Sequence, residues 1–276
     1  MKKSGLSPAR AAERSIQKKY VKTIWNPFVG AVKRYRLLAP GDRIAVCISG
    51  GKDSFLTAKL LQMLQRHSEQ PFELIFLCMD PGYSPQNREA ILQNAARLEL
   101  PVSFFETNIF AVADKADRSP CYLCARMRRG HLYKEAQRRG CNKIALGHHF
   151  SDVVETTLMS MLYGAQIQTM PPKLRSRNFE GMELIRPLYC VHEDDILAWQ
   201  RYNGLEFLRC ACRVAEKNAV SDDGSKRQEM KLLLREMKKT HPTVEKCVFQ
   251  SMHNVRLDTV ISYTRKGAEY SFLDDY

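Results

Sequence analysis

Arg43-Ile-Ala-Val-Cys-Ile-Ser-Gly-Gly-Lys-Asp-Ser54 is the stretch that decides the fold. Its first half is an apolar run in which Ile44, Val46 and Ile48 are β-branched, the composition of a short strand buried on both faces. Behind its second half, residues 54–67 carry Phe55, Leu56, Leu60, Leu61, Met63 and Leu64 at helical spacing. A glycine loop set between such a strand and such a helix can receive an anion. Gly50 and Gly51 let the backbone approach closely, and the opening helix directs free N–H groups outward. Ser49 and Ser54 add hydroxyl donors, and Lys52 adds a positive charge. Asp53 either reaches a nucleotide through a magnesium ion or fixes the loop. The spacing is neither GxxxxGK[ST] nor the dinucleotide fingerprint GxGxxG.

Outward from this unit the alternation continues. Strands are expected at 73–79, 102–106, 142–147 and, briefly, 183–185, with helices near 86–98, 124–139, 152–163 and 192–202. This order describes an α/β fold with an open, mainly parallel sheet, and right-handed crossovers place helices on both faces. Two basic helices, 10–24 and 26–38, precede the first strand, broken near Asn26-Pro27; two more, 226–239 and 243–252, follow the sheet. The expected domains are a basic helical extension at 1–40, a nucleotide-binding core at 41–205 and a helical C-terminal region at 206–276. Residues 164–181, with Pro171-Pro172, read either as a flap over the site or as a connector. Beyond Ser251 no pattern is evident.

Composition narrows the partners. In 276 residues, 43 Lys and Arg stand against 30 Asp and Glu, a net charge of +13. Residues 1–40 hold ten of the cations and one acid, Glu13, a local net of +9. Such a patch suits a polyanion, nucleic acid first, although a solvated basic face that only aids solubility has the same composition. Tyr20 and Trp25 within it either stack a base or pack the core. Nine cysteines in a chain this long argue against a disulfide scaffold and for a reducing, cytoplasmic setting. No apolar run approaches the ~18 residues of a membrane span, and the basic start lacks the apolar segment of a secretory signal.

Three further places carry chemistry. Met79-Asp80-Pro81-Gly82 ends the second strand, where Asp80 either touches the ribose or adenine of a nucleotide or caps the turn. Gly147-His148-His149-Phe150-Ser151-Asp152 stands at another strand end. Cys121-Tyr-Leu-Cys124 lies at an expected helix N-terminus, which favours thiolates for redox, zinc or cluster chemistry. The neighbouring Arg126, Arg128 and Arg129 either strengthen that effect or contact phosphate. Cys210-Ala-Cys212 could complete four ligands for zinc or an iron–sulfur cluster.

SGGKDS after a buried strand resembles the loop of the PP-loop ATP pyrophosphatases. The CxxC followed by Arg128-Arg129-Gly130, the GHH element with Asp152, Met170-Pro171-Pro172-Lys173 and Ile185-Arg186-Pro187-Leu188 are together similar to the tRNA 2-thiocytidine synthetase (TtcA-type) family, over about residues 25–255. The resemblance implies that Ser49, Gly50, Gly51, Asp53 and Ser54 hold the pyrophosphate part of ATP, with Lys52 stabilising charge. It gives Asp80 and His148 a place beside the nucleotide, and lets Asp152 hold Mg2+ or orient a neighbour; Lys52, Asp53 and Asp152 are the implied catalytic set. It implies a [4Fe–4S] cluster on Cys121, Cys124 and Cys212. Two departures stand out: Ser151 replaces the family's first aspartate, and CAC replaces the downstream CxxC, which makes Cys210 a rival ligand.

The implied reaction is ATP-dependent thiolation of a tRNA pyrimidine at C2, cytidine in the anticodon loop first and uridine as the alternative. The implied partners are tRNA, a sulfur donor such as a cysteine desulfurase, and a second copy of the chain. Lysidine-type amination leaves the cysteines without a role, and a non-catalytic zinc-containing RNA-binding protein leaves SGGKDS without one.

Overall fold

The computed structural model describes residues 5–109, 120–208 and 226–276, the side chains of 120–126 and 275 excepted. Its centre is a six-stranded sheet. Strand β1 (Arg43–Ile48) runs parallel to β2 (Glu73–Asp80) on one side and to β4 (Lys143–Ala145) on the other. Strand β3 (Val102–Glu106) extends it beyond β2 in parallel, and β6 (Glu183–Ile185) continues it beyond β4. An antiparallel edge strand, β5 (Lys173–Arg175), completes the order β3-β2-β1-β4-β6-β5. The progression of strands reverses between β1 and β4. In a sheet of this kind the ligand crevice opens outside the carboxyl ends of the strands at that reversal.

The period-two reading of β1 separates two cores. Ile44, Val46 and Ile48 belong to one buried cluster, and Ala45 and Cys47 to another. The first cluster is completed by Phe55 and Leu60 of α3 (Lys52–His67), Ile91 of α4 (Pro85–Arg97) and Trp199, which lies in a helix at Glu193–Tyr202. The second is completed by Tyr133 and Ala136 of α5 (Pro120–Arg138). Next come α6 (Phe150–Gly164) and α7 (the helix at Glu193–Tyr202). Helices thus cover both faces, as expected.

The basic N-terminal segment is part of the first core. Helix α1 (Pro8–Lys18) starts with Ser7 accepting the Arg10 N–H, and buries Ala9, Ala12 and Ile16 completely. A π-helical turn, Val21–Trp25, rather than a continued α-helix, joins it to α2 (Asn26–Arg34). Tyr20 is buried with its hydroxyl donating to the Ala198 carbonyl, and Trp25 packs on the core with Phe28 beside it. Both aromatics are packing residues. Glu13, the acid of this segment, is drawn inward to within 3.0 Å of Lys59 and 2.6 Å of Arg66. Arg10, Arg14, Lys18, Lys19, Lys22, Lys33, Arg34 and Arg36 remain exposed.

Contacts divide the chain into two compact units, residues 1–153 with 171–225, and 154–170 with 226–276. The second unit contains α8 (Lys226–Thr240), α9 (Val244–Ser251) and an antiparallel hairpin of β7 (Ser262–Arg265) and β8 (Ala268–Ser271). The hairpin lies in the tail where no pattern was evident. Its signal is Lys266-Gly267, a two-residue turn with both φ angles positive, flanked by the stacked pair Tyr263 and Tyr270. Strand β5 likewise lies inside the segment read as irregular. Among the described residues no helix is long and apolar enough to cross a membrane.

Candidate active site

The glycine loop closes on Ser54. Its hydroxyl donates to the Gly51 carbonyl at 2.8 Å and accepts the Ser49 N–H at 3.1 Å, while the Ser49 hydroxyl lies 3.3 Å away. Gly50 sits at φ +87°, a conformation that L side chains rarely adopt. Its carbonyl accepts the Leu208 N–H at 3.1 Å. Helix α3 begins directly afterwards at Lys52, so its unpaired N–H groups open beside the loop.

Residues from β4 arrive from the other side of the reversal. A Cβ placed on Gly147 would lie 2.9 Å from the Asp53 carbonyl carbon and 2.9 Å from the Ser54 nitrogen. Only a glycine lets the end of β4 approach the first turn of α3 this closely. Next in the chain, His149 is buried and bridges the two segments. Its Nδ1 accepts the Asp152 N–H at 3.3 Å, so Nε2 carries the proton. That Nε2 lies 3.8 Å from Asp53 Oδ1 and 3.9 Å from Glu193 Oε1. Asp152 returns a bond by accepting the His149 N–H at 3.0 Å.

Lys52 is held by two carboxylates, Asp53 Oδ2 at 3.1 Å and Glu193 Oε1 at 3.0 Å. Burial alone would lower the Lys52 pKa, but the charges of Asp53 and Glu193 outweigh it and raise the value above the ordinary lysine range. Burial moves Asp53 the other way for an acid, raising its pKa above that of an ordinary aspartate against the opposing pull of His149 and Lys52. Asp53 Oδ1 is buried and has no hydrogen-bond partner among the described residues.

A cavity of about 370 Å³ lies over this cluster. Ser49, Asp53 and Ser54 line it from the loop, Gly147, His148 and Asp152 from the end of β4, and Arg128, Arg129 and Leu132 from α5. The sequence-derived candidates Ser49, Asp53, Ser54, His148 and Asp152 therefore share one cavity, with Gly50, Gly51 and Lys52 forming its loop. Asp80 is placed differently. Its Oδ1 accepts the N–H groups of Gly82 and Tyr83 at 3.0 and 2.8 Å, its Oδ2 lies 3.0 Å from Arg88 Nη1, and it does not line the cavity. Of the two roles open to Asp80 from the sequence, those bonds serve the turn. Cys121 and Cys124 fall in the first turns of α5, but their side chains lie outside the described residues, as do Cys210 and Cys212 entirely.

Glu193 and Gly147 are the residues that sequence reasoning left without a role. Glu193 reads as an acid in the first turn of a helix, which the helix dipole alone accounts for. Its link to Lys52 spans 141 residues and has no local signal. Glu193→Gln should leave Lys52 with one carboxylate, lower its pKa, and move the alkaline loss of nucleotide binding to lower pH. ATP titrations between pH 8 and 11 check this; an unmoved alkaline limb excludes the pairing from binding.

The chain has relatives among known proteins. A family model described as a PP-loop domain matches residues 13–212. A Geobacter sulfurreducens protein named tRNA-cytidine(32) 2-sulfurtransferase is 35% identical over 239 residues, covering 85% of this chain and 90% of that protein. The chain belongs to the tRNA 2-sulfurtransferase family of PP-loop proteins. A Coxiella burnetii member of the same name is 31% identical over 251 residues, covering 89% of this chain and 93% of its own. Among solved structures, the U34-tRNA thiolase NcsA from Methanococcus maripaludis, described with its [4Fe-4S] cluster, superposes with a TM-score of 0.65. At 19% identity, covering 83% of this chain and 76% of that one, it shares the fold.

Proposed function

We propose that the protein thiolates tRNA at the expense of ATP, replacing the C2 oxygen of a pyrimidine by sulfur, with cytidine of the anticodon loop as the target. The observation that carries this reading is the meeting of the glycine loop and the GHH element around one cavity at the sheet reversal, in a chain whose relatives are named for that reaction. The loop N–H groups, Ser49, Ser54 and Lys52 would hold the pyrophosphate of ATP. Charge gathers on the phosphates as the base oxygen attacks the α-phosphorus and pyrophosphate leaves, and Lys52 stands where it can stabilise that charge. In accepting ATP, Lys52 exchanges a carboxylate for a phosphate oxygen. The proton-bearing nitrogen of His149, 3.8 Å from Asp53 Oδ1, would favour the Asp53 carboxylate electrostatically during this exchange.

Asp53 and Asp152 fit a magnesium ion in part. Two carboxylates border the cavity and one has an oxygen without a hydrogen bond. Among the described residues no three His, Cys, Asp or Glu side chains are grouped to hold a metal on their own. This suits Mg2+, which takes few carboxylates and completes its shell with phosphates and water.

Cys121, Cys124 and Cys212 would hold a [4Fe–4S] cluster, with Cys210 as the rival third ligand. When bound, the cluster would supply an iron site for the incoming sulfur. Helix α5 carries both the CxxC and Arg128, which lines the cavity, so one element links cluster motif and nucleotide site. The unpaired base would enter from a loop or be turned outward. The exposed cations of α1, α2 and the turn between them would hold RNA phosphates. A cysteine desulfurase would supply sulfur, a second copy would complete a homodimer, and the setting would be cytoplasmic.

The direct test is mass spectrometry of tRNA nucleosides from cells with and without the protein. Appearance of 2-thiocytidine supports the reading, 2-thiouridine shifts the target to uridine, and neither product with fully loaded protein rejects it. Cys212→Ala should lose the cluster absorbance after anaerobic reconstitution while still binding ATP. An intact spectrum assigns the third ligand to Cys210, and zinc in place of iron and sulfide favours the RNA-binding module.

A further inference from the structure

Two arginines line the cavity and a third is buried at a neighbouring strand end, and among the described residues none of the three forms an ion pair. Arg128 and Arg129 line the cavity from α5. Arg186 leaves the carboxyl end of β6, directly after Ile185, whose carbonyl accepts the N–H of the cavity residue Leu146 at 3.0 Å. It is 8% exposed. Its Nη1 donates to the Pro171 carbonyl, and its Nε has no hydrogen-bond partner among the described residues. The surrounding groups are mixed: burial and the charge of Arg129 lower its pKa to about 10, while Tyr189, Tyr133 and Asp152 pull the other way. Asp152 is thus the acid that acts on it, and it does so from beyond ion-pair distance.

A guanidinium buried without a carboxylate is costly, and one with an orphaned N–H more so. The guanidinium of Arg129 raises that cost by repulsion. Such an arrangement is stable in use when an anion comes to it. On the reading above, the phosphates of ATP have their own donors at the glycine loop. Arg129 is exposed, Arg128 half-buried and Arg186 buried.

We propose that Arg128, Arg129 and Arg186 form a second phosphate site, which takes a backbone phosphate of the RNA strand next to the base that enters the cavity. This rests on the RNA-modifying reading above and specifies how that strand is held. A nucleotide turned into a pocket brings its own phosphate with it, and a planar, multi-donor guanidinium suits that group.

Arg129 is exposed, so Arg129→Gln tests the site without endangering the fold. The measurement is the binding of an RNA anticodon stem-loop by the full chain at several salt concentrations, alongside ATP binding. Loss of one phosphate contact to a single strand should reduce the slope of log K against log salt by about 0.7. Arg129→Lys should restore the slope, and ATP affinity should stay within twofold. Weakened ATP binding, with or without a changed slope, would assign the arginines to the nucleotide and overturn the proposal. Intact RNA binding with an unchanged slope overturns it while sparing the thiolation reading. Failure of the unaltered chain to bind RNA sinks both.

Discussion

Asp53→Asn is expected to reduce RNA-dependent pyrophosphate release by at least about 100-fold, the scale lost when one preorganised electrostatic group is removed from a reacting site. The same substitution should leave thermal stability unchanged or slightly raised. The reasoning for both halves is the same. Burial raises the Asp53 pKa, so the folded chain disfavours the carboxylate, and that penalty is present above the raised value and vanishes below the ordinary one near 3.8. At neutral pH the fold therefore carries an unfavourable charge whose Oδ1 has no hydrogen bond among the described residues. A neutral amide of the same shape relieves the penalty but cannot pair with Lys52 or serve a cation. Activity in the wild-type chain should accordingly fall on acidification at a pH above that of an exposed aspartate. Pyrophosphate release and a melting curve on the same preparation decide the matter. Retained release would remove Asp53 from the chemistry, and a large loss of stability would make it a structural residue.

Gly147→Ala is expected to have the second largest effect. The added Cβ would meet the Asp53 carbonyl carbon and the Ser54 nitrogen at 2.9 Å, both backbone atoms of the first turn of α3. Backbone held by a sheet on one side and a helix on the other has nowhere to retreat, and overpacking of this kind costs about 1–3 kcal/mol. The strain falls on Asp53 itself, so ATP affinity should drop together with stability. Gly50→Ala offers the comparison. There the nearest atoms are side chains, Leu208 Cδ1 at 2.9 Å and Ile91 Cγ1 at 3.1 Å, and the strain comes mainly from φ +87°. The Gly147 variant should lose more nucleotide affinity per unit of stability lost. Urea titration and ATP binding measured side by side test this; equal ratios would mean that the β4–α3 approach has no bearing on the site.

Much of the fold was legible because its signals are local. A β-branched run is a strand whatever surrounds it, and two glycines before an apolar helical period mark a loop that opens a helix. The GHH element could be placed at a strand end for the same reason. The hairpin at Ser262–Ser271 escaped because its strands are short and polar, leaving only the Lys266-Gly267 turn as a clue. Strand β5 escaped because three edge residues carry no periodicity. The first helix was read too long, since the π-turn at Val21–Trp25 is chosen by how Tyr20 and Ile24 seat in the core.

By itself, then, the chain of residues determined which segments become strands and helices, and that a phosphate-receptive loop follows β1. It did so because those properties depend on neighbours within a few positions. Tertiary structure alone decided that Glu193 meets Lys52, that Gly147 lies against the first turn of α3, that Asp80 accepts the N–H groups of Gly82 and Tyr83, and that Arg186 is buried with no ion pair among the described residues. Each of these depends on the order in which strands assemble across the sheet. Hydrogen-bonded ion pairs and steric contacts need atoms within a few ångströms, and residues a hundred positions apart acquire that closeness only when the sheet forms.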